Sequence, residues 1–214
     1  MKRRNRVFFL SPAHCGGERA RLFLNPRSEF KLARQLRTPE GAPIGEVFSF
    51  LSGLYFRGKL AYAREFASPP TGVPGALVIT PNEGLRSPDE PITISRLKRF
   101  ARGDVDERKR SYRQPLLRDA RLIEEVAGES CEVVLLGSVA SGKYVDVLAK
   151  VFGERLLFPL SFVGRGDMSR GGLMLRCARS GVELDYVPVV GAVRHGPRPP
   201  KLPPLPRRTW EPQP

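Results

Sequence analysis

The sequence predicts a three-layer α/β fold, with a mostly parallel central sheet and helices on both of its faces. Three observations predict it. Four short apolar runs, Val7–Leu10, Ala76–Thr80, Val133–Leu136 and Leu156–Leu160, are each followed by Ser, Pro or Gly, as strands buried on both faces should be. Stretches of helical periodicity separate these runs, and such alternation favours parallel strands covered by helices. Apolar residues make up 41% of the 214, enough to build a real core at this size.

Taken in order, the first run follows a basic lead-in, MKRRNR. Four apolar residues are too few for the core of a signal peptide, so the segment is expected to be a first β-strand. Residues 44 to 67 form the clearest helix. Ile44, Val47, Phe48, Leu51, Leu54, Tyr55, Tyr62 and Phe66 mostly follow three- and four-residue steps, while Gly53 and Gly58 weaken it and mark close packing or a break. Further helices are expected over Leu116–Ala127, Val139–Phe152 and Asp167–Ala178, the last ending near Gly181. Leu184–Val190 is a fifth strand candidate, which Pro188 confines to an edge. From Gly196 onward, GPRPPKLPPLPRRTWEPQP holds eight prolines in nineteen residues and favours an extended or disordered tail. The expected organisation is one α/β domain over residues 1–195 and a basic, proline-rich tail over 196–214.

Charge is the main anomaly. Thirty-six Lys and Arg stand against 22 Asp and Glu, a net charge of +14. Such an excess attracts polyanions, so nucleic acid or a phosphorylated small molecule is the expected partner. The competing explanation is a composition that simply favours Arg. Cys15, Cys131 and Cys177 are odd in number and show no CxxC spacing, which argues against a disulfide framework and for reduced thiols in the cytoplasm. No apolar stretch approaches the roughly 20 residues of a membrane span. His14, His195 and the scattered cysteines lack metal-ligand spacing, so neither a metal nor another cofactor is expected.

The sharpest local pattern is VVLLGSVASGKYVDVL. Gly137, Ser138, Gly142 and Lys143 match GxxxxGK between a strand and a helix, where backbone N–H groups and Lys143 can hold phosphate. The next residue is Tyr144 instead of Ser or Thr, which removes the usual Mg²⁺ ligand, and a plain strand–turn–helix junction is the alternative. In FVGRGDMSRGG, four glycines surround Arg165, Asp167 and Arg170. Two Arg can grip phosphate, and Asp167 is either a catalytic carboxylate or a helix N-cap. SPAHCGGE places His14 and Cys15 just after the first strand, on the edge that faces the ligand crevice of a parallel sheet. Glu83, in the turn TPNEGL after the second strand, is expected to face the same crevice. In SGLYFRGKLAYA, Tyr55 and Lys59 share one helix face, either as part of a site or as a solvated side with a buried aromatic. Pro203, Pro206 and Arg208 follow the PxxPxR order of ligands for SH3-type grooves.

FFLSPAHC, LYFRGKLAYAREFA, LVITPNEGL and VVLLGSVASGKYVDVL together resemble a group of uncharacterised bacterial α/β proteins. More remotely, they resemble YaaA-type proteins and the accessory domain of archaeal tRNA base-modifying enzymes. The resemblance spans roughly residues 7 to 150. It implies a connection with nucleotides or nucleic acid and makes Tyr144 part of the turn's own motif. The chain departs from the group where His14–Cys15–Gly16 replaces a Cys/Ser–Lys turn, and GRGDMSRGG has no counterpart in it.

The functional expectation is an enzyme-like protein directed at a nucleotide or nucleic acid, acting at the glycosidic bond of a base. Asp167, Glu83 and His14 are its catalytic candidates. Gly137, Ser138, Gly142, Lys143, Arg165 and Arg170 are its phosphate contacts. The alternatives are a non-catalytic nucleic-acid-binding module and an interaction protein that uses its proline-rich tail.

Overall fold

The structure is a computed structural model that describes residues 4–203. The chain begins with β1 (Arg6–Leu10), α1 (Glu18–Leu24), α2 (Lys31–Arg37), β2 (Ala42–Pro43), α3 (Ile44–Ser52) and α4 (Leu54–Phe66). It continues through β3 (Ala76–Ile79), β4 (Leu85–Arg86), β5 (Pro91–Ile92), α5 (Ile94–Arg102) and α6 (Arg110–Ala127). The last elements are β6 (Glu132–Leu136), α7 (Gly142–Phe152), β7 (Leu156–Pro159), α8 (Asp167–Ser180) and β8 (Tyr186–Pro188).

Six strands form the main sheet in the order β4-β3-β1-β6-β7-β8. The four expected strands are its parallel centre, and β4 and β8 close the edges antiparallel. β2 and β5 pair separately as a short antiparallel ribbon. Pro188 lies in the edge strand β8, where a missing N–H costs little.

Successive side chains of a strand point to opposite faces, and the core divides accordingly. Phe8, Leu10, Val78, Val134 and Leu136 pack with α3, α4 and α8 on one face. Val7, Phe9, Leu77, Ile79, Val133 and Leu135 pack with α6 and α7 on the other. This gives three layers, α/β/α, as the alternation of elements predicts.

The long helix expected over residues 44–67 is two helices. Gly53 adopts φ +60°, ψ −126°, which only glycine reaches without strain, and breaks the run between α3 and α4. Gly58 has a different role. A Cβ there would stand 2.6 Å from the Gly171 carbonyl oxygen, so the paired glycines let α4 and α8 cross in near backbone contact.

Two helix starts also differ from expectation. α6 begins at Arg110 and runs through Pro115, giving up one backbone bond, because Tyr112 is buried against the sheet. α7 begins at Gly142, after a loop of five residues. The short helices α1, α2 and α5 lie outside the stretches read as helical from the sequence, and each buries only two residues.

This topology creates a crevice. The chain leaves β1 for β3 over one face of the sheet and leaves β6 for β7 over the other, through α7. The neighbours β1 and β6 therefore send their connections in opposite directions, which opens a gap at their carboxyl ends.

Candidate functional site at the β1/β6 crevice

Ser11 is the first residue after β1. Its N–H donates to the Leu136 carbonyl of β6 (3.1 Å), which extends the pairing of the two strands to the edge of the crevice. Beneath it lies Lys59 of α4, with none of its surface exposed. Lys59 Nζ donates to the Ser11 carbonyl oxygen (2.6 Å) and to Ser11 Oγ (2.9 Å). It also lies over the rings of Tyr55 (4.3 Å) and Phe56 (4.8 Å). An ammonium has three donors, and two are satisfied here.

Burial disfavours the charged amine and lowers the Lys59 pKa to about 7, with Asp167 pulling the other way. The Tyr55 hydroxyl is buried and has no hydrogen-bond partner. Burial pushes its pKa up to about 12, and Arg170 and Ser11 oppose that shift. Burial also raises the Tyr144 phenol of α7, and Ser11 again opposes the shift. Ser11, Tyr55, Lys59 and Tyr144 are thus one electrostatic cluster, with Asp167 acting on it from the start of α8.

Beside this cluster is a cavity of about 280 Å³. It is walled by Pro12–Gly16 after β1, by Pro81 after β3, by the α5–α6 link and by Lys143 and Tyr144. His14 lines it, exposed, with its imidazole packed over Gly16 and Gly17. Cys15 also lines it but is buried, and burial raises its thiol to about 12. Burial thus disfavours the thiolate form of Cys15.

The expected phosphate loop has the predicted strand–turn–helix context. Gly137 lies against Ser11, where a Cβ would come within 3.0 Å of the serine Cβ. Lys143 joins His14 in the cavity wall, and its carbonyl accepts a bond from the Tyr112 hydroxyl (2.8 Å). Ser138 is half-buried in the loop. Gly142 opens α7, and the Asp146 carboxylate folds back against it, placing negative charge at the helix start.

The remaining candidates divide. Gly166 is the N-cap of α8, and Asp167 is the exposed first residue of the helix, its carboxylate 3.8 Å from the Arg170 guanidinium one turn on. Glu83 is committed elsewhere. Arg96 Nε (2.7 Å) and Arg99 (3.1 Å) hold its carboxylate. Burial draws the Glu83 pKa upward, but the two Arg outweigh it and keep it low.

Arg170 is buried and donates twice to the Phe162 carbonyl (3.2 and 3.0 Å), so it fixes the turn before α8. Arg165 bonds Ser161, Ser169 and the Pro200 carbonyl, joining α8 to the chain after Gly196. The structure thus brings His14 and Lys143 together in the cavity and sets Gly137 against Ser11. It does not bring Glu83, Asp167, Arg165 or Arg170 to the cavity wall. Ser11 lies outside the residues expected at the site, and Lys59 takes the first of its two expected roles, on a face that points inward. Lys59 carried a signal, a lone cation on the apolar side of a helix between Phe56 and Tyr62.

Among the described residues no three His, Cys, Asp or Glu cluster so as to hold a metal ion, and no helix is long and apolar enough to cross a membrane. A concavity of about 950 Å³ is an open groove along α6 lined by Arg110, Arg118, Arg121 and Leu122, away from the strand ends. Compared with protein-family models, curated proteins and solved structures, the chain matches none.

Proposed function

We propose that this protein acts on a nucleotide or on nucleic acid bound at the β1/β6 crevice. One observation carries the reading. The cavity at the strand-order switch shares a wall with the α5–α6 link, and basic side chains flank that link. Lys98, Arg102 and Arg110 are exposed and have no acid partner within 4 Å among the described residues. Switch points are where open α/β sheets bind ligands, and such a flank would draw a phosphate backbone towards the cavity. Lys143 and His14 would meet phosphate, and their compartment would be the cytoplasm.

Cleavage or exchange at the glycosidic bond of a base is the reaction this reading assigns first. It needs an accessible carboxylate to stabilise positive charge on the sugar. Asp167, exposed although 3.8 Å from an Arg170 nitrogen, is the candidate that remains, since Glu83 is clamped by Arg96 and Arg99. The test is a thermal-shift screen of nucleoside mono- and diphosphates, with product analysis of every hit using the wild type and Asp167→Asn. Stabilisation that is lost in Lys143→Ala, with free base released by the wild type alone, is expected. If no phosphorylated nucleoside shifts the melt and no oligonucleotide binds at low salt, the reading fails. Oligonucleotide binding without turnover would identify a binding module instead.

A further inference from the structure

We infer that Ser11 and Lys59 are a nucleophile and its general base, and that the crevice carries out transfer at the phosphorus of a phosphate ester. The inference rests on the reading above for its substrate class, and it does not depend on Asp167.

The geometry supplies each part that such a pair needs. Nucleophile and base are within hydrogen-bond reach, at 2.9 Å. The base is aimed by a third group, because the Ser11 carbonyl holds Lys59 Nζ at 2.6 Å. No carboxylate makes a salt bridge to Lys59 among the described residues, so no bonded counter-charge keeps the amine protonated. The Tyr55 hydroxyl is buried, has no hydrogen-bond partner among the described residues and lies close enough to Ser11 for Ser11 to lower its pKa, so it is available to donate to a developing oxyanion. Pro12 and Tyr144, neighbours of Ser11 in sequence and in space, line the cavity from which substrate would come. Ser11 itself is 4% exposed and lies directly behind Pro12 of that wall.

In the step itself, Ser11 Oγ forms a bond to phosphorus while its proton passes to Lys59 Nζ. The bond from phosphorus to the leaving oxygen breaks, and the Lys59 ammonium returns the proton to that oxygen. Attack of water on the serine phosphoester reverses the roles. The ionisable groups facing the amine are Tyr55 on its own helix, Tyr144 on α7, and Asp167 and Arg170 on α8. Burial lowers the Lys59 amine to about 7, so its charge changes near neutral pH.

Two probes test the pair on the full chain. A fluorophosphonate should label Ser11, located by peptide mass spectrometry, with a rate that rises through neutral pH. Bis(p-nitrophenyl) phosphate should release a burst of up to one equivalent of p-nitrophenolate. Lys59→Met should lower both rates at least 100-fold while keeping a cooperative melt, and Ser11→Ala should abolish them. Lys59→Arg, which keeps the charge without a usable base, should be equally inactive. An unlabelled Ser11 in folded wild type, or label at another residue, overturns the inference. So does a burst with p-nitrophenyl acetate and none with the phosphodiester. Nucleotide binding without Ser11 labelling would leave the crevice reading intact and make the pair structural. Labelling without nucleotide binding would do the reverse.

Discussion

Replacing Lys59 by methionine keeps most of the side-chain volume and removes the amine, so it isolates the cost of burying that group. Lys59 has its pKa lowered by burial from 10.5 to about 7. Between those values the unfolded chain binds a proton that the folded chain does not, so this group makes stability rise with pH. Below pH 7 both states are protonated and the penalty is complete. Above 10.5 both are neutral and it vanishes. One pKa unit corresponds to about 1.4 kcal/mol, and the slope halves near the folded pKa, so the wild type should lose about 2 kcal/mol between pH 9 and pH 7 from this source. Methionine removes that dependence. It also strands Ser11 Oγ and its carbonyl, at a cost of about 1–3 kcal/mol that does not vary with pH. Urea unfolding of both proteins at pH 7 and pH 9, followed by far-ultraviolet circular dichroism, gives the double difference. Cys15 and the tyrosines titrate alike in both proteins and cancel. The variant should be the less stable at pH 9, and the gap should close or reverse at pH 7. A gap that stays constant within about 0.5 kcal/mol would refute a lowered Lys59 pKa.

Other outcomes follow from the same contacts. Gly58→Ala forces a Cβ into the Gly171 carbonyl and should cost about 3 kcal/mol or more in unfolding free energy, whereas Ala61→Ser on the same helix should cost little. The Glu83 pKa is lowered by its Arg partners, so its contribution is present above the ordinary carboxylate pKa and is lost as pH falls through the folded value. Glu83→Gln should therefore flatten the acid limb of the stability curve while leaving ligand binding intact. Removing residues 197–214 deletes carbonyls that accept from Arg165 and Arg176, yet it leaves both sheet faces covered, so the truncated protein should keep a single cooperative melt.

The central sheet was legible because its four inner strands are continuous apolar runs, and a strand buried on both faces leaves no other pattern. The edges were less so. β4 has two residues and β8 three, and Glu183, Asp185 and Pro188 dilute the apolar signal around β8. The break at Gly53 was marked by its residue type, but periodicity alone could not separate a tolerated glycine from one at φ +60°. Glu83 was misplaced for a physical reason. Its turn does follow the second strand, but the Arg96 and Arg99 that capture it belong to α5, and which acid they pair with is set by how that helix packs. Lys59 shows the opposite case. The sequence put it on a face with Tyr55, and only packing against Ser11 and the sheet shows that this face points inward. Pro206 and Arg208 of the PxxPxR pattern lie outside the described residues.

The most direct test of the crevice is a map of amide chemical shifts in the isotopically labelled protein during titration with a nucleoside monophosphate. The account predicts that the shifted signals gather at Ser11–Gly17, at Gly137–Tyr144 and along the α5–α6 link, and that Lys143→Ala weakens the response. Shifts confined to the groove on α6, or no saturable shift at millimolar nucleotide, would contradict it.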